Sequence, residues 1–568
     1  MTINEEIRTK QNSIMLGILF LIALLYIIDT GPDDIQPWDE AMYIVRVKSI
    51  VNFGDWLDQT NHSVGGLYSA SHPPLFIWLT AVSLSVFGEN HFSLRLFSVL
   101  FSIGILFLLF FFFKDKRIGL IGTLITASIP VYYFYSHQAQ LDIPVTFFML
   151  LSIFLFKKHE EEKNKKILLF SGIAWGLAMM TKIAVGLIIP ISIVIYSIIL
   201  IQQKNKKFQE VFQELGIFIL TGAIIFLPWH IYMCMTNENF LSYFLNYHIL
   251  QRITTGVENN VKSLGFFYYV NQSFVFFSGA ILFIYFTFKT GLKDRANLLL
   301  YSVIFVAFVI ISFSSTKLQS YFIMLIPFLS LIIAQGLFAG RNERKGKYIL
   351  AILSVFLAVW SFSQDFRNGI KLLITNFEVT NIVLWYSISG IILILIFTIL
   401  TKKYGLKQVI ILILLLLIFT GFYNKREPYY SSNIEKISNS FFEDDARNLV
   451  YVDFRAMSYT YNPQITYYFR GVDLGWIKNK NFQLIEVDLL EKHSKIEGYS
   501  NSNINIKKPG LGKLCIKGEI IKEDSYVIVT SFLIGEIRKI DCFSKKLSDK
   551  NLIGKDSSYY YYKIQNIK

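Results

Sequence analysis

Along the first 423 residues, polar positions only punctuate long apolar runs, and after Asn424 the pattern reverses. A helix rises 1.5 Å per residue, so about 20 apolar residues cross a hydrocarbon layer about 30 Å thick. About thirteen such segments are legible, starting near residues 14, 92, 117, 142, 166, 183, 210, 266, 297, 318, 346, 382 and 407. The first, Ile14 to Ile28, follows Arg8 and Lys10 as a secretory signal would. No small-residue cleavage site comes after it, so it reads as a retained signal-anchor. Beyond Asn424, short apolar runs (NLVYVDF, SYVIVTSF, YYYYKI) alternate with Gly-, Asn- and Lys-rich turns. That predicts a small mixed α/β or β-rich domain. The expected organisation is a polytopic membrane domain over 1–423 and a soluble domain over 424–568.

Composition agrees, with 53% hydrophobic and 17% charged residues against about 25% charged in soluble proteins. An ordinary cytosolic enzyme, a disordered chain and, with three Cys, a disulfide scaffold are excluded. The net charge of +14 is resolved by its distribution. Alternate connections read KDKR, KKHEEEKNKK, QQKNKK, KTGLKDR, GRNERKGK and KKYGLK. With the N-terminus they carry 23 of the 32 Lys and Arg in the membrane part. The positive-inside rule places that face in the cytoplasm. The basic excess is thus mainly a topology signal, no nucleic-acid partner is expected, and the tail is expected outside.

The opposite face gathers the candidate chemistry. The first outer loop, 29–91, contains WDEAMYIVRVKSIVNF and PPLFIWLTAVSLSVFG, which suit helices lying along the membrane surface. Polar groups recur at or beside the outer ends of apolar segments: Asp39 and Glu40, His72, Asp142, Lys182, His248 and Arg252, and Lys317 with Tyr321. Ionisable groups near hydrocarbon are costly and usually line a watery cavity or pair with one another. A transporter more often places them near the bilayer midplane of repeated halves, and no internal repeat is visible. Chemistry at the outer surface is the better expectation.

The WDE start of the outer loop and the later HPPLF, followed by FG and Arg95, resemble signatures of family 39 glycosyltransferases. LDIP, TK before the sixth span and KLQSYFIMLIP extend the resemblance over roughly residues 10–340. It implies a mainly α, GT-C membrane fold, like that of protein O-mannosyltransferases and the bacterial aminoarabinose transferases of lipid A. It also implies a polyprenyl-phosphate sugar donor, an outer-face acceptor and inversion at the anomeric carbon.

Direct displacement needs a base for the acceptor proton and cations for the leaving phosphate. Asp39 is the expected base, the role the family gives its aspartate here, with Tyr43 and Arg46 at i+4 and i+7 on the same helical face. The plainer reading is a helix cap after Pro37. Glu40 and Asp142 are further catalytic candidates, although Asp142 also fits an N-cap. Arg46, His72, Lys182, His248, Arg252, Lys317 and Tyr321 are candidates for donor phosphate or sugar. Lys182 could instead snorkel to headgroups, and Lys317 and Tyr321, one helical turn apart, could be an interfacial anchor pair. In the aminoarabinose branch Glu-Lys precedes the matching PPL, whereas Ser71-His72 stands here, which weakens transfer of that branch's sugar and acidic metal ligand. No required cofactor or metal is expected, a divalent metal remaining an option. Cys515 and Cys542 could form a disulfide in the tail. The acceptor stays open among lipid A, a surface glycan and a protein hydroxyl. The competing readings are an oligosaccharide transferase using a pyrophosphate-linked glycan, and a lipid-linked sugar flippase or transporter.

Overall fold

The computed structural model describes residues 3–30, 35–36, 38–254, 265–277, 281, 284–291 and 294–339. In the tail it describes 433–444, 446–454, 463–487, 496–500, 506–508, 525–530, 547–555 and 559–564. The expected spans near 346, 382 and 407, and Cys515 with Cys542, lie outside these residues; Cys234 is an exposed free thiol. The chain divides into two compact units, one of 1–30 and 95–426, the other of 31–94 and 427–568.

The first unit is helical. Among the described residues five helices are long and apolar enough to cross a membrane: His91–Phe112, Ile183–Gln202, Phe208–Thr236, Arg295–Phe313 and Gln319–Phe338. A sixth arises if Lys116–Ala127 and Pro130–Ser136, bent by 77° at their break, count as one span. Ten apolar segments were expected before residue 340; the one near 266 runs into residues outside the description, and two others fall short for local reasons. Lys165–Met179 has only 15 residues, and Asp142–Glu162 ends in charged KKHEEE.

That pair forms a tight hairpin. Lys163 takes a left-handed conformation at the end of the first helix, and the Asn164 side chain accepts from the Lys166 N–H to cap the second. The sequence KKHEEEKNKK is therefore mostly helix, and His159 and Glu160 are buried. Lys206 donates to both Glu160 and Glu214, and His159 Nε2 lies 3.2 Å from Glu214.

The Lys165–Met179 helix also packs closely on Phe208–Thr236. Gly172 and Gly176 make this possible, because a Cβ at Gly176 would lie 2.6 Å from the Gly222 carbonyl oxygen. Small residues at such positions let helix backbones approach in membranes.

In the second unit, Asp39–Phe53 is a helix buried on nearly all sides from Glu40 to Ile50. It packs against Leu75–Phe87 and the short helix Gln464–Tyr468. The Gln464 amide donates to the Ile35 carbonyl at 2.5 Å, and the Ile35 N–H to the Tyr468 hydroxyl at 3.2 Å. The tail contributes seven strands: β1 Asn448–Phe454, β2 Asn481–Val487, β3 Ile496–Ser500, β4 Ile506–Lys508, β5 Ser525–Thr530, β6 Leu552–Lys555 and β7 Tyr559–Ile564. Their order is β4-β3-β2-β1-β5-β7-β6. β1 pairs in parallel with β2 and β5, and the outer pairs are antiparallel. The apolar runs NLVYVDF, SYVIVT and YYYYKI are its adjacent strands β1, β5 and β7.

Gly176→Val should cost about 1–3 kcal/mol by overpacking and lower the melting temperature of the detergent-solubilised chain. Gly216→Ala, inside the Phe208–Thr236 helix with nothing within 4 Å of its Cβ position, should not lower it and should raise it slightly.

Candidate active site

The sequence candidates fall into two groups, one in each unit. In the first unit, the hairpin returns the chain so that the turn after Met179 meets the start of the Asp142 helix. Lys182 Nζ donates to Asp142 Oδ1 at 2.9 Å, with both side chains largely buried. Asp142 opens its helix but is not its cap, since Leu141 occupies that position. Burial opposes the Lys182 charge, yet Asp142 and the Tyr321 hydroxyl hold its ammonium above the ordinary lysine range. The ammonium also lies 5.2 Å from the centre of the Tyr321 ring.

Arg252 joins this group through its Nη1 donor to the Tyr321 hydroxyl. Its carbonyl is fixed by the Ser315 and Thr316 N–H groups at 2.8 and 3.2 Å. Arg252 follows a π-helix, Phe244–Gln251, a wound-open form that is rare and recurs at functional sites. The π-helix carries His248, which is buried among Tyr243, Phe244 and Tyr247. Burial, then the Arg252 and Lys182 charges, push the His248 imidazole well below its ordinary value.

Lys317 and Tyr321 are not one α-helical turn apart. Lys317 precedes a 3-10 helix, Gln319–Leu325. Its ammonium donates to the carbonyls of Ile311, Ser312 and Ser314 at 3.0, 2.6 and 2.6 Å. It thereby caps the Arg295–Phe313 helix, and a phosphate bound there would have to replace one of these carbonyls.

Tyr269, which the sequence reading missed, completes the group. Its ring lies 5.5 Å from Lys317 Nζ, and its hydroxyl donates to the Leu318 carbonyl at 3.0 Å. Its only sequence signal is the aromatic run FFYYV at the start of an expected span. Beside it is an apolar cavity of about 440 Å³, lined by Phe266, Val270, Phe305, Phe308, Leu329 and Ser312. Ser312, one of the lining residues, also supplies a carbonyl that accepts from Lys317.

In the second unit, Asp39 opens its helix directly after Trp38, whose φ is 65°. A bulky residue in that region is strained by about 1–3 kcal/mol, and such strain concentrates at functional sites. Asp39 is not the cap residue. Glu40 is fully buried and accepts the Gln36 N–H at 2.6 Å. Arg46 is fully buried. Its guanidinium donates to Gln59 Oε1 at 2.7 Å and to the His72 carbonyl at 2.9 Å. Burial lowers it to about 10, so it stays charged at neutral pH, with Tyr43 and Asp58 as opposing influences. The Tyr43 and His72 rings meet edge to face at 5.9 Å.

One other group has metal-ligand chemistry among the described residues. Donor atoms of His159, Glu160 and Glu214 lie within 4.8 Å of one another. Lys206 already bridges both carboxylates, so this cluster holds its own cation.

Three kinds of known protein resemble the chain. Residues 71–232 match the family model described as dolichyl-phosphate-mannose-protein mannosyltransferase. An uncharacterised Aquifex aeolicus protein is 23% identical, over 60% of this chain and 66% of its own length. The undecaprenyl phosphate-alpha-4-amino-4-deoxy-L-arabinose arabinosyl transferase of Serratia proteamaculans is 28% identical, over 45% of this chain and 46% of its own. The chain thus spans about half to two thirds of the length of these curated relatives. The ArnT crystal structure from Cupriavidus metallidurans bound to undecaprenyl phosphate superimposes with a TM-score of 0.67. The superposition covers 98% of each chain at 14% identity. The likeness shows that the chain has the fold of that ArnT structure. That fold accounts for the mainly helical first unit and the small terminal sheet.

Two outcomes are expected. Lys182→Met should leave the Asp142 carboxylate buried without its partner and destabilise the chain by about 3–5 kcal/mol, read as a large loss of melting temperature that Lys182→Arg restores in part. His248 is held neutral in the fold, whereas the unfolded chain protonates it below about pH 6.5. Stability should therefore fall as pH drops below that value, and His248→Gln should flatten this slope in melting curves.

Proposed function

We propose that the chain is a multi-pass inner-membrane glycosyltransferase that moves a sugar from a polyprenyl-phosphate donor to an acceptor outside the cytoplasm. The observation that carries this reading is the convergence of Asp142, Lys182, His248, Arg252 and Tyr321, in a unit that also holds an apolar cavity. A lipid-linked sugar phosphate has the same two halves, an anionic phosphate and a prenyl chain. The undecaprenyl phosphate named for the relatives supports the same donor class. The N-terminus is cytoplasmic and the tail extracytoplasmic, as the sorting of basic residues supports.

The acceptor hydroxyl attacks the anomeric carbon and gives up its proton to a base, a new C–O bond forms, and the bond to the phosphate oxygen breaks; Asp39 is the base that the family resemblance implies. The configuration at that carbon inverts. Polyprenyl phosphate leaves with the bonding electron pair, and Lys182 and Arg252 stabilise its charge. Asp142 keeps Lys182 charged and aimed, and the Tyr321 hydroxyl, accepting from Nη1, aims Arg252. His248, neutral, donates or accepts a hydrogen bond without adding repulsion to the two cations. Prenyl units of the donor occupy the cavity lined by Phe305 and Phe308. The acceptor is a lipid A, surface-glycan or protein hydroxyl.

Asp39→Asn should slow sugar transfer at least about 100-fold, the usual worth of a general base. Release of polyprenyl phosphate from a polyprenyl-phosphate sugar in detergent measures it. Release at the wild-type rate would remove Asp39 from the mechanism.

A further inference from the structure

The outer loop carries a second group of side chains that the transfer chemistry does not use. The Phe53 and His62 rings stack at 3.9 Å and 10°, and Phe53 meets the Trp476 ring edge to face at 5.2 Å. Phe53 and Trp56 are 43% and 44% exposed. Asp55 accepts from His62 Nδ1 at 2.7 Å and from the Ser49 hydroxyl at 2.5 Å. This contact sets the orientation of the ring and leaves Nε2 as its other polar atom. The loop is held in place from beneath. The Gln59 amide donates to the Asp55 and Trp56 carbonyls at 2.5 and 3.1 Å, and the Trp78 indole donates to the Trp56 carbonyl at 2.5 Å. Gln59 is itself clasped by the buried Arg46.

A fixed, half-exposed aromatic ledge edged by a carboxylate-oriented imidazole suits a sugar ring. The C–H face of a saccharide packs on aromatic rings, and its hydroxyls pair with imidazole and carboxylate groups. A bilayer surface suits the ledge less well. Residues 51–62 contain two Asp and neither Lys nor Arg, whereas segments that bind anionic lipid surfaces are rich in both cations.

We infer that the Phe53–His62–Trp476 ledge, with Asp55 and Trp56 at its margin, binds a saccharide ring of the acceptor. This rests on the transferase reading and makes its acceptor a glycan or glycolipid. A protein hydroxyl would not need such a ledge.

Saturation-transfer NMR on the full chain in zwitterionic nanodiscs, with chitobiose and maltose as probes, tests it. Wild type should saturate ring C–H protons of at least one sugar. Phe53→Ala and His62→Gln should each weaken binding about two- to tenfold, the scale of one lost aromatic or polar contact. Arg252→Gln, which leaves the buried Lys182–Asp142 pair intact, should keep the sugar signal while weakening binding of polyprenyl phosphate. Signals absent for both sugars, or unchanged in the Phe53 and His62 variants, would overturn the inference. So would fluorescence quenching by brominated lipid that drops when Trp56 is replaced by Phe, since the ledge would then lie in the bilayer. Failure of wild type to bind polyprenyl phosphate would strike the transferase reading instead, and the sugar signal would be read separately.

Discussion

Two opposite charges withdrawn from water persist only as a partnered pair, and the Lys182–Asp142 contact is such a pair. Either group alone would be expelled or neutralised, so the turn after Met179 is tied to the start of the Asp142 helix. The same constraint acts at the other end of that hairpin, where Lys206 bridges Glu160 and Glu214. Between these two ends the hairpin presents Gly172 and Gly176 to the Phe208–Thr236 helix, whose backbone approaches closely. That leaves the following π-helix to carry His248 and Arg252 toward Lys182. The cationic group is thus a consequence of how buried charge must be arranged.

The two units divide the chemistry by kind. The first concentrates cations and tyrosine hydroxyls and also holds an apolar cavity, a combination that suits an amphiphilic anion. The second carries an acid behind a strained tryptophan, and an exposed aromatic ledge on a tightly bonded loop. Arg46 lies inside this second unit, hydrogen-bonded to Gln59 and the His72 carbonyl. Its position gives it a hold on the loops from Asp55 to Gln59 and at His72, whatever further ligand it meets.

Much of this was legible in the sequence. Apolar runs gave the helical character of the first unit, and the charge break near Asn424 marked the tail that folds as a sheet. Asp142, Lys182, Arg252 and Tyr321 stood out because ionisable groups beside apolar segments need partners. Their pairings were not legible, because nothing local in LDIP or MMTKIAVG says that the hairpin turn at Lys163 will bring the two together. Lys317 illustrates the converse. Its spacing from Tyr321 suggested a shared grip, but the 3-10 geometry and three backbone carbonyls give it a capping role. The grouping of residues 31–94 with the tail depends on contacts such as Gln464 with Ile35, more than 400 positions apart. Composition carries no record of such a contact.

The most direct test of the central claim is where the phosphate sits. Cryo-electron microscopy of the full chain in nanodiscs with polyprenyl phosphate should show the phosphate within hydrogen-bond distance of Lys182 Nζ or Arg252, and prenyl density in the cavity beside Phe305. A phosphate bound away from both cations, with the Phe305 cavity empty of prenyl density, would contradict the account.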